Sequence, residues 1–240
     1  MAQAGLPGEL NVGWMPTHVH RNETLNKRYA THRKISHLTR YVELAAGIKK
    51  PLLSGHTYRE GLETTVKLYD TIGRVSGKQW LVNSSKHYLL AIDNYLAMPG
   101  QVKIVNLVRD GRAVYNSFRR LGFDRPAAVD AWANHYKRAE RLFDRWVSTQ
   151  DIHTVRYEAL ASDPASAMQE LCRFLEIPYE ASMLNLGSTT HHNVNGNNMR
   201  FNKDKSIRLD ERWRRELSAE DLGFFEKAAG QVNKSFGYGA

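Results

Sequence analysis

Cysteine is almost absent: Cys172 is the single thiol in 240 residues, so no internal disulfide can close and a reducing compartment is expected. No apolar run approaches the ~18 residues of a membrane span. The opening MAQAGLPGEL lacks the basic-then-apolar layout of a signal peptide. Internal repeats and low-complexity tracts are missing too, and the expectation is one cytoplasmic α/β domain over residues 1–240. Acidic residues are in deficit, 25 Asp plus Glu against 34 Lys plus Arg, for a net charge of +9. That imbalance calls for an anionic partner, with nucleotide, nucleic acid and acidic polysaccharide all eligible.

What is present is periodic. Ile35, Leu38, Tyr41, Val42 and Ala45 share one helical face, and a second helix is expected over 60–72. WLVN (80–83) has the composition of a short strand, followed by a helix over about 88–97. Trp132, Tyr136, Ala139, Phe143 and Trp146 mark an amphipathic helix. IHTVRYEAL (152–160) alternates as a strand. SDP at 162–164 opens a helix with a cap and a first-turn proline; its apolar face is Met168, Leu171, Cys172 and Leu175. Ser218 with Asp221 begins a last helix that turns Leu222, Phe225, Ala229 and Val232 inward. Strands alternating with helices predict a mostly parallel sheet covered by helices on both faces.

The stretch VKIVNLVRDGRAVYNSFRR (102–120) poses the chemical question. Val102, Ile104, Val105, Leu107 and Val108 form the most apolar strand, yet it ends in Arg109, Asp110, Gly111 and Arg112. Val114, Phe118 and Leu121 then follow helical spacing, so the arginines sit in a strand-to-helix turn, where open α/β sheets bind ligands. A guanidinium there, beside a helix N-terminus with free N–H groups, makes an anion site. Ser117 lies within reach as a hydroxyl donor. The alternative is that both arginines simply pair with Asp110 or another surface carboxylate.

Further segments carry a resemblance. LVRDGRAVYNSF (107–118), VNSSK (82–86), VRYEAL with the following Asp163–Pro164 and FLEIP, NGNNMRF (195–201) with LDERWRREL (209–217), and the closing FGY (236–238) occur in the order of the motifs of sulfotransferases. These enzymes use 3'-phosphoadenosine 5'-phosphosulfate (PAPS), and the chain is similar to their bacterial-type branch. The resemblance implies a P-loop NTPase-like fold whose first β-loop-α unit is missing here: no Gly-Thr-Thr or Gly-Lys-Ser pattern occurs, and AGLPGEL resembles the segment shortly after that loop. On this expectation Met1 is an internal start, and 15–79 is a helical region on the acceptor side.

By the same resemblance Arg109 and Ser117 grip the 3'-phosphate and Arg200 closes over it. Lys86 neutralises the leaving phosphate, and Tyr157 contacts the adenine end. A general base is needed for the acceptor proton; Glu9 and His87 are the two candidates. Ser84 and Ser85 are expected as caps of the following helix. His191 and His192 resemble half a metal site without Cys or acidic partners, and no metal is expected. The implied reaction is sulfuryl transfer from PAPS to a hydroxyl or amine of a small-molecule or glycan acceptor. Two other classes stay open: a catalytically silent nucleotide-binding module, and a basic nucleic-acid binder, which aromatic residues spaced for burial disfavour. Oligomeric state is not legible.

Overall fold

Strand β1 (Ile104–Val108) pairs in parallel with β2 (Ile152–Arg156), in the register Ile104 with Ile152 through Val108 with Arg156. Parallel strands need a crossover, here helices α4 (Gly111–Arg120) and α5 (Arg125–Trp146). The computed structural model describes residues 35–185 and 208–239, and the chain divides after Leu81 into two compact units.

The first unit contains helical backbone over 35–45, called α1, and α2 (His56–Ser76). α2 outruns the expected 60–72 because Gly55 and Gly77 bound it, Gly77 as a left-handed C-cap whose N–H bonds the Gly73 carbonyl. α1 corrects its predicted face. Ile35, Leu38 and Val42 are exposed, whereas Arg40, Glu43 and Leu44 are buried. The cause is an ion pair, Arg40 Nη1 to Glu43 Oε2 at 3.2 Å. Arg40 also donates to the Ile48 and Lys49 carbonyls, and Glu43 Oε1 accepts the N–H groups of Leu52, Leu53 and Ser54. Burial pushes the Glu43 carboxyl up, but these donors outweigh it and hold the pKa below the ordinary value. A buried pair so fully satisfied can displace an apolar face.

Residues 80–87, which straddle the division, are irregular rather than holding the strand expected over 80–83. Val82 is 93% exposed, and Asn83 Oδ1 accepts the Ser85 N–H at 2.8 Å, a local turn that competes with extended pairing. Helix α3 (Tyr88–Ala97) follows, and its N-cap is His87 rather than a serine. β2 ends at Arg156 instead of 160, because Tyr157 starts α6 (Tyr157–Ser162). α7 (Pro164–Leu175) opens as expected, with Asp163 capping the Ser166 N–H. Of its predicted face Cys172 is fully buried. α8 (Trp213–Glu216) precedes α9 (Ala219–Ser235), where Ser218 Oγ accepts the Asp221 N–H and donates to Asp221 Oδ2. Phe225, Ala229 and Val232 are buried as predicted.

The core joins α4, α5, α9 and the C-terminal residues through Tyr115, Trp132, Phe225, Phe236 and Tyr238. Phe225 packs against Tyr115 and Trp132 with ring centroids at 5.8 and 5.9 Å. Leu121 is 72% exposed, since α4 stops at Arg120 and the inward side is carried by Ala113 and Tyr115. The result is the α/β class expected, with a parallel sheet of two strands among the described residues. Val105 and Leu107 remain 42% and 53% exposed, so covering of that sheet face is incomplete. No described helix is long and apolar enough to cross a membrane.

Candidate functional site

The turn from β1 to α4 is held by groups far away in sequence. Asp110 N–H donates to Glu158 Oε1 at 3.1 Å, and Gly111 N–H to Asn233 Oδ1 at 2.8 Å. Arg112 N–H donates to Asp110 Oδ1, and the Ala113 and Val114 N–H groups to the Asp110 carbonyl. Every donor that a helix N-terminus leaves open is thus taken within the protein. This corrects the expectation that α4 offers free N–H groups to an anion.

Glu158 and Asn233 tie the same turn to the C-terminus. Tyr238 donates its hydroxyl to Glu158 Oε2, and burial together with that carboxylate pushes the phenol pKa far up, so Tyr238 stays a donor. Asn233 Nδ2 reaches Asp110 Oδ1 at 3.2 Å. Gly111 is required by space: a Cβ there would lie 2.6 Å from the Phe225 ring and 2.8 Å from Trp132.

The two arginines part company at this turn. Arg112 lies in a fork on Asp110, Nη2 to Oδ2 at 2.7 Å and Nε to Oδ1 at 3.0 Å, and its guanidinium sits 4.3 Å from the Trp213 ring centroid. The carboxylate-pairing alternative therefore holds for Arg112 through Asp110, and for Arg109 through Asp210. Arg109 faces elsewhere, 4.4 Å from the Tyr157 ring centroid, so the ends of β1 and β2 bring two predicted site residues together. Tyr157 owes its place to the early end of β2: at the first position of α6 its ring meets Arg109, while neighbouring Glu158 holds the turn.

Residues 208–212 cross this pair as a strap. Tyr157 donates its hydroxyl to the Arg208 carbonyl at 2.8 Å and accepts the Asp210 N–H at 3.2 Å. Arg109 Nη2 donates to the Asp210 carbonyl at 2.9 Å and pairs with Asp210 Oδ2 at 3.2 Å. Arg212 forks onto the same carboxylate with two 2.8 Å bonds. That fork, reinforced by the Arg212 N–H and by Arg109, holds the Asp210 carboxyl far below the usual carboxylate range despite its partial burial. Arg109 Nε is buried and has no hydrogen-bond partner among the described residues. A cavity of about 280 Å³ beside the strap is lined by Arg112, Arg156, Glu158, Asp210 and Trp213, among others.

The other predicted residues are placed separately. Ser117 is exposed on α4. Lys86 is exposed in the turn before α3, in left-handed backbone at φ 59°, uncommon for a side chain of that size. His87 caps α3 and stacks on Tyr88 with centroids at 6.1 Å. Tyr88 in turn meets His135 edge-on at 5.1 Å. Glu9, Arg200, His191 and His192 lie outside the described residues. Among the described residues no group of three His, Cys, Asp or Glu could hold a metal ion. Asp210, Arg212, Glu158 and Asn233 were not singled out from sequence. The one available signal was that Asp210 and Arg212 fall within LDERWRREL.

An arginine at the carboxyl end of a parallel strand, lying on a tyrosine from the next strand end, occupies the place where open α/β sheets bind ligands. The model of the sulfotransferase family matches residues 13–181, well over half of the chain, and the protein belongs to that family. Its fold is similar to two solved structures. One is the sulfotransferase domain from the Synechococcus PCC 7002 olefin synthase, 23% identical, covering 85% of this chain and 75% of that one, with TM-score 0.60. The other is the sulfotransferase domain from the curacin biosynthetic pathway, 18% identical, covering 79% and 77%, with TM-score 0.52. A search of curated proteins finds no match.

Proposed function

We propose that the protein transfers a sulfuryl group from PAPS to a hydroxyl or amine acceptor, a small molecule or a glycan. The observation that carries the donor assignment is Arg109: its Nε has no partner among the described residues and its guanidinium lies on Tyr157. A buried N–H of a cation without an acceptor is costly, and a phosphate oxygen supplies one through a charge-assisted bond. Arg109 and Ser117 then receive the 3'-phosphate, with Arg200 as a further cation, and Tyr157 borders the adenine.

PAPS supplies an activated sulfuryl group. As the acceptor oxygen or nitrogen bonds to sulfur, the bond from sulfur to the bridging phosphate oxygen breaks, leaving 3',5'-adenosine bisphosphate. Lys86 offsets the charge that grows on the departing phosphate, which is electrostatic stabilisation of the transition state. Glu9 or His87 accepts the acceptor's proton. The test is a calorimetric titration of the 240-residue chain with 3',5'-adenosine bisphosphate. Binding near micromolar that vanishes in Arg109→Ala supports the reading, and an acceptor screen follows; absence of binding by a folded, monodisperse sample contradicts it.

A silent nucleotide-binding module is the second reading, and one observation favours it: Lys86 stands exposed in its turn. Binding of the bisphosphate without turnover of PAPS on any acceptor would decide for that module.

A further inference from the structure

Arg109 already carries an anion of the protein's own. Its Nη2 is committed to Asp210 through both the carbonyl and the carboxylate, at 2.9 and 3.2 Å, while Nε is unfilled. The same carboxylate is held by Arg212 through two further bonds, so one negative charge is shared between two guanidiniums. We propose that Asp210 sets the affinity and selectivity of this site: its carboxylate is a resident counter-ion that an incoming phosphate displaces from Arg109, with Arg212 retaining it. The proposal rests on Arg109 being the phosphate receptor.

Three features make the exchange physically sound. First, Arg212 keeps Asp210 paired after it leaves Arg109, so no carboxylate is stranded without a cation. Second, Asp210 borders the 280 Å³ cavity, which gives the displaced side chain room. Third, the strap does not depend on the carboxylate for its anchorage, because Tyr157 holds it through the Arg208 carbonyl and the Asp210 N–H. Selectivity follows from charge. A monoanion offers Arg109 no more than the carboxylate already there, whereas a phosphate dianion gains on exchange. Removing the carboxylate leaves two cations facing the ligand where the native site has two cations and one anion.

The predictions for the two partners of this ion pair run in opposite directions. Titrated with 3',5'-adenosine bisphosphate, Asp210→Asn tightens binding by about tenfold, the size of one charge-assisted contact, and acetate, a monoanion, becomes a competitor. Arg212→Ala weakens binding, because Asp210 loses its second partner and stays on Arg109. If Asp210 and Arg212 merely brace the strap, both variants weaken binding together, and that result overturns the proposal, as does unchanged affinity in Asp210→Asn. Should Asp210→Asn fail to fold, Asp210→Ala is titrated in its place with the same tightening expected, and weaker or unchanged binding overturns the proposal. Absence of binding in the wild type and every variant overturns the phosphate-receptor reading itself, which separates that failure from this one.

Discussion

The turn at 109–112 and the turn at 83–87 precede helices α4 and α3 of the same unit, but they are built differently. The first is fixed by Glu158, Asn233 and Tyr238 from 48 or more positions away. The second contains a short Asn83 turn and the His87–Tyr88 stack, with Lys86 left exposed in left-handed backbone. The difference separates two tasks. On the proposed function, long-range hydrogen bonds prepare the turn that carries Arg109 for the nucleotide's phosphate, while Lys86, proposed to face the leaving group, stands exposed. Preparation suits a step that needs geometry, and an exposed lysine is a mobile point charge.

The largest expected effect breaks the prepared side. Arg109→Ala removes two charge-assisted contacts, at about 1.5–3 kcal/mol each, so affinity for 3',5'-adenosine bisphosphate falls by roughly two to four decades. Calorimetry checks this. Next, Gly111→Ala drives a Cβ into Phe225 and Trp132, and urea unfolding should show a loss of about 1–3 kcal/mol. Asn233→Ala strands the buried Gly111 N–H; a loss of about 1–3 kcal/mol in the same assay is expected, with weaker nucleotide binding because the turn carrying Arg109 loosens.

Lys86→Gly sharpens the contrast from the other side. Glycine relieves a left-handed residue, worth about 1 kcal/mol, so thermal unfolding should shift slightly upward while sulfuryl transfer is lost. A parallel loss of stability would mean that the second turn is braced after all.

The smallest effect concerns pH and lies away from both turns. Asp221 is held at about 2 by the Ser218 hydroxyl first, then by Arg125 and Tyr115, against some burial. A carboxyl lowered in the folded state stabilises it above the unfolded pKa of about 3.9 and loses that contribution as pH falls toward 2. Asp221→Asn should therefore flatten the stability profile across that window, read from urea midpoints at stepped pH.

Local signals were well expressed in the sequence. β1, the caps Asp163 and Ser218, and the buried face of α5 follow from short-range patterns that tertiary packing did not override. Arg109 is legible from the strand-to-helix turn and Tyr157 from the family resemblance, and the structure joins them. What escaped depends on partners distant in the chain. The buried face of α1 is chosen by the Arg40–Glu43 pair and the backbone of 48–54, which periodicity does not register. WLVN has strand composition, yet a strand exists only with a neighbour to pair. Arg109 and Arg112 look equivalent in the sequence, and only Asp210 and Asp110 tell them apart. Of the N–H groups opening α4, those of Arg112, Ala113 and Val114 are taken by adjacent Asp110, and only that of Gly111 depends on a distant partner, Asn233.

One paired measurement separates the roles of the two arginines. Arg109→Ala and Arg112→Ala are each melted and titrated with 3',5'-adenosine bisphosphate. Arg109→Ala is expected to lose nucleotide binding with little change in melting, whereas Arg112→Ala melts earlier, having left Asp110 without its fork, but still binds. Retained binding in Arg109→Ala, together with its loss in a folded Arg112→Ala, would contradict those roles.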